Sequence, residues 1–180
     1  LMFLLMLIRS KLEVDNFNLA YVFSDLIFNN RTSFIAIEYV NKFGYTNGVS
    51  MISPFLAPIP FLQSLVINLF DLNYYEMGSA ALNTQYTLQG DHGNYGAGTN
   101  ILADIYFSFG SVGVIFFMFL LGYLVRMFYL NSKHNIFYLV SYIVMISFAV
   151  FLVRAEFFYF LRPLLWSLLI IWIKLKVNFK

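Results

Sequence analysis

Six residues of this chain have types and positions that could do chemistry at a membrane surface. Three are arginines: Arg31, Arg154 and Arg162. The guanidinium is a planar fork that stays charged and donates paired hydrogen bonds, so it suits phosphate and pyrophosphate oxygens. Arg31 stands beside Thr32 and Ser33, in a run that reads as a helix N-terminus, itself a favourable place for an anion. The bland reading of Arg31 is a solvated loop cation. For Arg154 and Arg162 it is snorkelling to lipid headgroups. The other three residues, Asp104, Glu156 and His92, could move a proton. His92 titrates near neutrality and has Asp91 beside it as an orienting acid, although a loop histidine is often plain surface. Asp104 precedes a long apolar run and could complement a helix dipole or act as a base. Glu156 has the same two readings, with a salt bridge to Arg154 as its structural alternative.

The elements that must position these groups follow from composition. The chain is 61% hydrophobic and 11% charged, against about 25% charged for a soluble domain. Aromatics make up 21%. A soluble fold of 180 residues lacks the interior for so much apolar surface, so the chain reads as an all-α integral membrane protein. There is no cysteine, which removes disulfides and thiolate chemistry. Two histidines do not make a metal cluster, and a formal charge of +2 does not argue for nucleic acid. No cofactor is implied.

No charged residue occurs from Ile105 to Val125, and about 20 apolar residues cross a bilayer as a helix. Two further spans are expected over residues 136–153 and 157–173. Residues 1–8 read as the outer end of a membrane helix that starts upstream, which would make this the C-terminal part of a longer protein. Residues 9–104 read as a large extracytoplasmic loop region containing short interfacial helices. Within it, Asn29 to Ser33 offers several caps for a helix from about Ser33 to Phe43, ended by Gly44. Pro54, Pro58 and Pro60 mark a helix-breaking turn. The stretch Phe61 to Asp71 places Gln63, Ser64, Asn68 and Asp71 on one arc and leucines with Phe70 on the other. That pattern fits a helix lying in the interface or packed on the bundle. Asn73 to Asn100 reads as an ordered but irregular loop that holds several tyrosines. Arg126, Lys133 and His134, with Lys174, Lys176 and Lys180 in the tail, place those ends in the cytoplasm. The Asp104 junction and the Arg154-Ala155-Glu156 turn then face outward.

The run from Gly98-Thr99-Asn100 through Asp104 to Phe109-Gly110-Ser111-Val112-Gly113 resembles the C-terminal signature of the O-antigen and capsule repeat-unit polymerases of the Wzy type. Arg31-Thr32-Ser33, Gly48-Val49-Ser50 with Ile59-Pro60, and Arg154-Ala155-Glu156-Phe157 resemble that family too. The resemblance covers about residues 30–165. It implies a glycosyltransferase of the bacterial inner membrane that joins undecaprenyl-pyrophosphate-linked oligosaccharide units at the outer face. It implies no nucleotide sugar and no metal, with chain-length regulator and flippase proteins as further candidate partners. Arg31 and Arg154, with Arg162 second, are then pyrophosphate contacts. Asp104, Glu156 and His92 compete to activate the acceptor. Three readings compete with this one: an O-antigen ligase, a non-enzymatic transporter or helper, and an inactive truncated fragment. The uncharged centres of the first two spans argue against a transporter, which places polar breaks at mid-membrane.

Overall fold

The computed structural model describes residues 19–88 and 96–178, and every regular element among them is helical. The α-helices are α1 (Leu19–Phe43), α2 (Ile52–Leu56), α3 (Leu62–Phe70), α4 (Ser79–Thr87), α5 (Ile101–Asn131), α6 (Ile136–Ala149) and α7 (Leu161–Asn178). Short 3₁₀ turns at Val49–Met51, Tyr74–Glu76, Val150–Val153 and Phe157–Phe160 join them. Three stretches are long and apolar enough to cross a membrane: Ile101–Asn131, Ile136–Val153 and Phe157–Val177. Val112, Ile115, Phe119 and Ile170 point away from the protein and are exposed, as expected of surface whose solvent is hydrocarbon. The inner seam joins α5 to α6 and α6 to α7 through Ile105, Leu121, Met145, Phe157, Phe160 and Leu164.

α1 is one continuous helix through the polar run from Asn29 to Ser33, where a helix start is expected from sequence. The side chains Thr32 and Ser33 are used sideways. Thr32 is buried, and Ser33 Oγ accepts from Asn100 Nδ2 at 3.1 Å. A residue type that favours caps therefore serves a tertiary contact instead. Gly44 ends α1 with φ 85°, a conformation available to glycine at little cost. Pro54 lies inside α2 rather than breaking it, because the third position of a helix has no intrahelical N–H bond to lose. α3 buries none of its residues, and Leu65, Leu69 and Phe70 are exposed. The segment expected to be irregular between Asn73 and Asn100 holds α4, whose apolar residues have almost no helical periodicity.

α5 starts at Ile101 and is broken at Gly110, where φ is 64° and ψ is −157°. L-residues with a Cβ essentially never adopt this conformation. A Cβ there would meet the Tyr45 ring at 2.7 Å, and one at Gly113 would overlap Phe109 Cβ. The Phe109-Gly110-x-x-Gly113 motif thus lets a membrane helix bend around an inserted loop. The Thr46 amide and hydroxyl both donate to the Phe107 carbonyl, at 2.9 and 3.3 Å. Ser50 and Ser108 hydroxyls close the cluster at 2.8 Å. Backbone groups released by a break in an apolar helix must be satisfied by protein, and this loop satisfies one of them. By composition alone the run Ile105 to Val125 reads as uninterrupted.

Candidate functional site

The start of α5 gathers four segments of chain. Asn100 caps the helix, its Oδ1 accepting from the Ala103 amide at 2.8 Å while its Nδ2 reaches Ser33 on α1. Asn83 of α4 donates to the Gly98 carbonyl at 2.7 Å, and Thr84 Oγ accepts from the Ala97 amide at 3.0 Å. The loop before α5 is therefore pinned by α4 on one side and α1 on the other.

Asp104 lies in the first turn of α5 and is fully buried. Its Oδ2 accepts from the Phe157 amide at 2.7 Å, while Oδ1 has no hydrogen-bond partner among the described residues. Next along the chain from Phe157 is Glu156. Its Oε1 accepts from the Ala80 amide at 3.3 Å and from Ser79 Oγ at 3.5 Å, at the N-terminus of α4. Orphan amides and the dipole of a helix start favour an anion there. Gly78 permits the approach, since a Cβ on it would stand 3.2 Å from that same oxygen. Ser79 also faces Thr99 at 3.3 Å. Burial pushes the Glu156 carboxyl above the usual carboxylate range, and the Ala80 and Ser79 donors oppose that rise. Asp104 and Glu156 thus belong to one buried node, tied through the adjacent residue Phe157.

A cleft of about 820 Å³ opens between α1 and α4. Its walls include Arg31, Glu38, Tyr39, Lys42, Glu76 and Tyr86. Tyr86 Oη donates to Glu38 Oε1 at 2.9 Å. Tyr39 packs edge-on against Tyr86 and Phe107, with centroids 5.5 and 5.4 Å apart. The volume lies in the usual range of ligand sites, about 300–1,000 Å³. α4 connects the two regions. Ala80 holds the node and Tyr86 the cleft, roughly 9 Å apart along the helix at 1.5 Å per residue.

The sequence-derived candidates are therefore dispersed. Asp104 and Glu156 meet in the node, and Arg31 lines the cleft. Arg154 is exposed at the end of the Val150–Val153 turn. Arg162 is exposed as the second residue of α7, about 8–10 Å beyond Phe157 given four 3₁₀ residues at 2.0 Å. His92 lies outside the described residues. Sequence reasoning missed Ser79, Thr99, Asn83, Glu38 and Tyr39. Ser79 carries no pattern of its own, and Thr99 lies in the Gly98-Thr99-Asn100 run with nothing local to mark it as a partner for Ser79. Glu38 and Tyr39 sit adjacent on an aromatic-rich helix, and only the position of α4 turns them into a wall.

No curated protein and no solved structure matches the chain. The family model for the O-antigen polysaccharide polymerase Wzy does, over residues 1–180, the same family that the Asp104 and Phe109-Gly110 motifs resemble. With three apolar helices around that junction and a match along its whole length, the chain belongs to the O-antigen polysaccharide polymerase Wzy family.

Proposed function

We propose that this chain acts in joining undecaprenyl-pyrophosphate-linked oligosaccharide repeat units into O-antigen or capsular polysaccharide, at the outer face of the bacterial inner membrane. Family membership over residues 1–180 carries this reading. The outward side is supported by the basic residues Arg126, Lys133, Lys174 and Lys176, which favour the cytoplasm.

In the reaction, the bond between the donor sugar's C1 and the phosphate oxygen breaks. Its electron pair leaves with the polyprenyl pyrophosphate. The acceptor hydroxyl oxygen bonds to C1 and gives up its proton. The chemistry makes two demands: cations at the departing pyrophosphate, where charge develops, and a base at the acceptor hydroxyl. Arg31 and Arg154, with Arg162 second, are the cations assigned to the first. Glu156 is the base, since it is only partly covered while Asp104 has no exposed surface. Its raised pKa brings it toward the range where a carboxylate is both ionised and a useful acceptor. Asp104 is a positioning residue that holds the Phe157 amide and so orients Glu156. His92 is the remaining candidate for proton transfer.

The test is complementation of a strain lacking its surface-polysaccharide polymerase, using the full reading frame. The readout is the length ladder of the lipid-linked glycan. A long ladder from the wild type, collapsing to single repeats in Arg31→Ala and Arg154→Ala, is the expected result. If glycan polymerises without the protein but reaches the core lipid only with it, the protein is a ligase and the polymerase reading falls.

A further inference from the structure

We propose that the cleft between α1 and α4 is a glycan-binding subsite, with Glu38, Tyr39 and Tyr86 as its sugar contacts. That the glycan comes from a lipid-linked repeat unit rests on the polymerase reading; the sugar chemistry of the cleft does not.

Arg31 and Lys42 stand roughly 16 Å apart along α1 at 1.5 Å per residue, so the cleft has length as well as volume. Its charges balance: Arg31 and Lys42 against Glu38 and Glu76. A pyrophosphate site would be uniformly basic, so most of this length suits a ligand without net charge. Tyr39 and Tyr86 are partly exposed, and Phe43 is 60% exposed beside them. These rings pack on one another and Lys42 Nζ stands 5.3 Å from the Phe43 centroid, so the aromatic surface they leave open in the polar cleft is partial. A sugar ring has the complementary surface. Its C–H faces are apolar and cover an aromatic ring, while its hydroxyls bond to carboxylates and amides at the rim. Glu38 and Gln85 supply such groups. Tyr86 Oη already donates to Glu38, which orients that carboxylate and leaves its other oxygen for a ligand hydroxyl.

The binding test uses detergent-solubilised full protein and the free repeat-unit oligosaccharide, cut from the host's own polysaccharide and lacking phosphate. Affinity is followed by calorimetry and ligand contacts by saturation-transfer NMR. Tyr86→Ala should weaken binding about tenfold, as expected for losing one stacking face with its hydroxyl. Tyr86→Phe, which keeps the face, should lose only about two- to threefold. Glu38→Gln should weaken binding by a similar few-fold factor and shorten the ladder in cells. Wild-type protein that does not bind the oligosaccharide overturns the proposal, as does undiminished binding in both Tyr86→Ala and Glu38→Gln. If the wild type restores the ladder and these variants bind and polymerise normally, the subsite falls while the polymerase reading stands. If the wild type binds glycan through the cleft but restores no ladder, the subsite stands and the polymerase reading falls.

Discussion

The two ends of α4 hold their carboxylates by different physics. At the N-terminus, Glu156 is partly covered and held by the Ala80 amide and Ser79, with Asp104 fully buried in the same node. At the other end, Glu38 is exposed and takes its bond from the Tyr86 hydroxyl. That bond also pushes the Tyr86 hydroxyl above its usual pKa, since losing its proton would forfeit the donor beside an anion. The buried node joins segments far apart in sequence, so its side chains hold the fold as well as any reaction. The cleft wall is made of helices that are already formed, so its side chains are free to serve a ligand. Changes in the two regions should therefore part along stability and function.

The largest effect is expected from Glu156→Gln. If Glu156 takes the acceptor proton, polymer synthesis falls about 10²–10⁴-fold, measured as initial rate with lipid-linked repeat units in vesicles. The change keeps an acceptor for Ala80, so the protein should still fold. The same assay as a function of pH sharpens the point. A base must be ionised to act, and burial raises the Glu156 pKa. Activity should therefore fall on acidification starting above the ordinary carboxylate range, and Glu156→Gln should lack that limb. A wild-type profile flat down to ordinary carboxylate values would remove Glu156 as the base.

The next effect is structural. Asp104→Ala leaves the Phe157 amide without its acceptor in a dry place and should cost about 2–3 kcal/mol in unfolding of the solubilised protein. Asp104→Asn keeps an acceptor oxygen and should recover most of that loss. Equal destabilisation by both would mean that the charge, not the hydrogen bond, holds the junction. The smallest effect is expected from Glu38→Gln and Lys42→Ala at the exposed cleft. Each should change unfolding free energy by no more than about 0.5 kcal/mol, measured in the same way. A loss of 2 kcal/mol or more at Glu38 would make the cleft wall part of the scaffold and erase the contrast with the node.

Much of the architecture is legible in the residues themselves. The apolar runs from Ile105, Ile136 and Phe157 announce membrane helices because a bilayer demands length and hydropathy, both local properties. The Phe109-Gly110-x-x-Gly113 motif and Asp104 are enough to suggest a family. Where local preference and tertiary demand diverge, the sequence misleads. Asn30, Thr32 and Ser33 look like caps, yet α1 runs through them because Asn100 from across the chain takes the Ser33 hydroxyl. α4 is hidden because its apolar residues follow no helical period, and it is held by Asn83 and Thr84 gripping the loop before α5.

By itself, the sequence determined that this is a helical membrane protein, where its apolar spans lie, and which charged residues could meet an anion. Each of these depends on the residues of one segment and the solvent around it. Only the tertiary structure decided that Asp104 and Glu156 share a node, that Arg31 opens onto a cleft with Glu38 and Tyr86, and that α5 bends at Gly110 around Tyr45 and Thr46. Those facts depend on hydrogen bonds and contacts between residues tens of positions apart. No local pattern encodes such pairings, because each partner is satisfied only once the other segment has arrived.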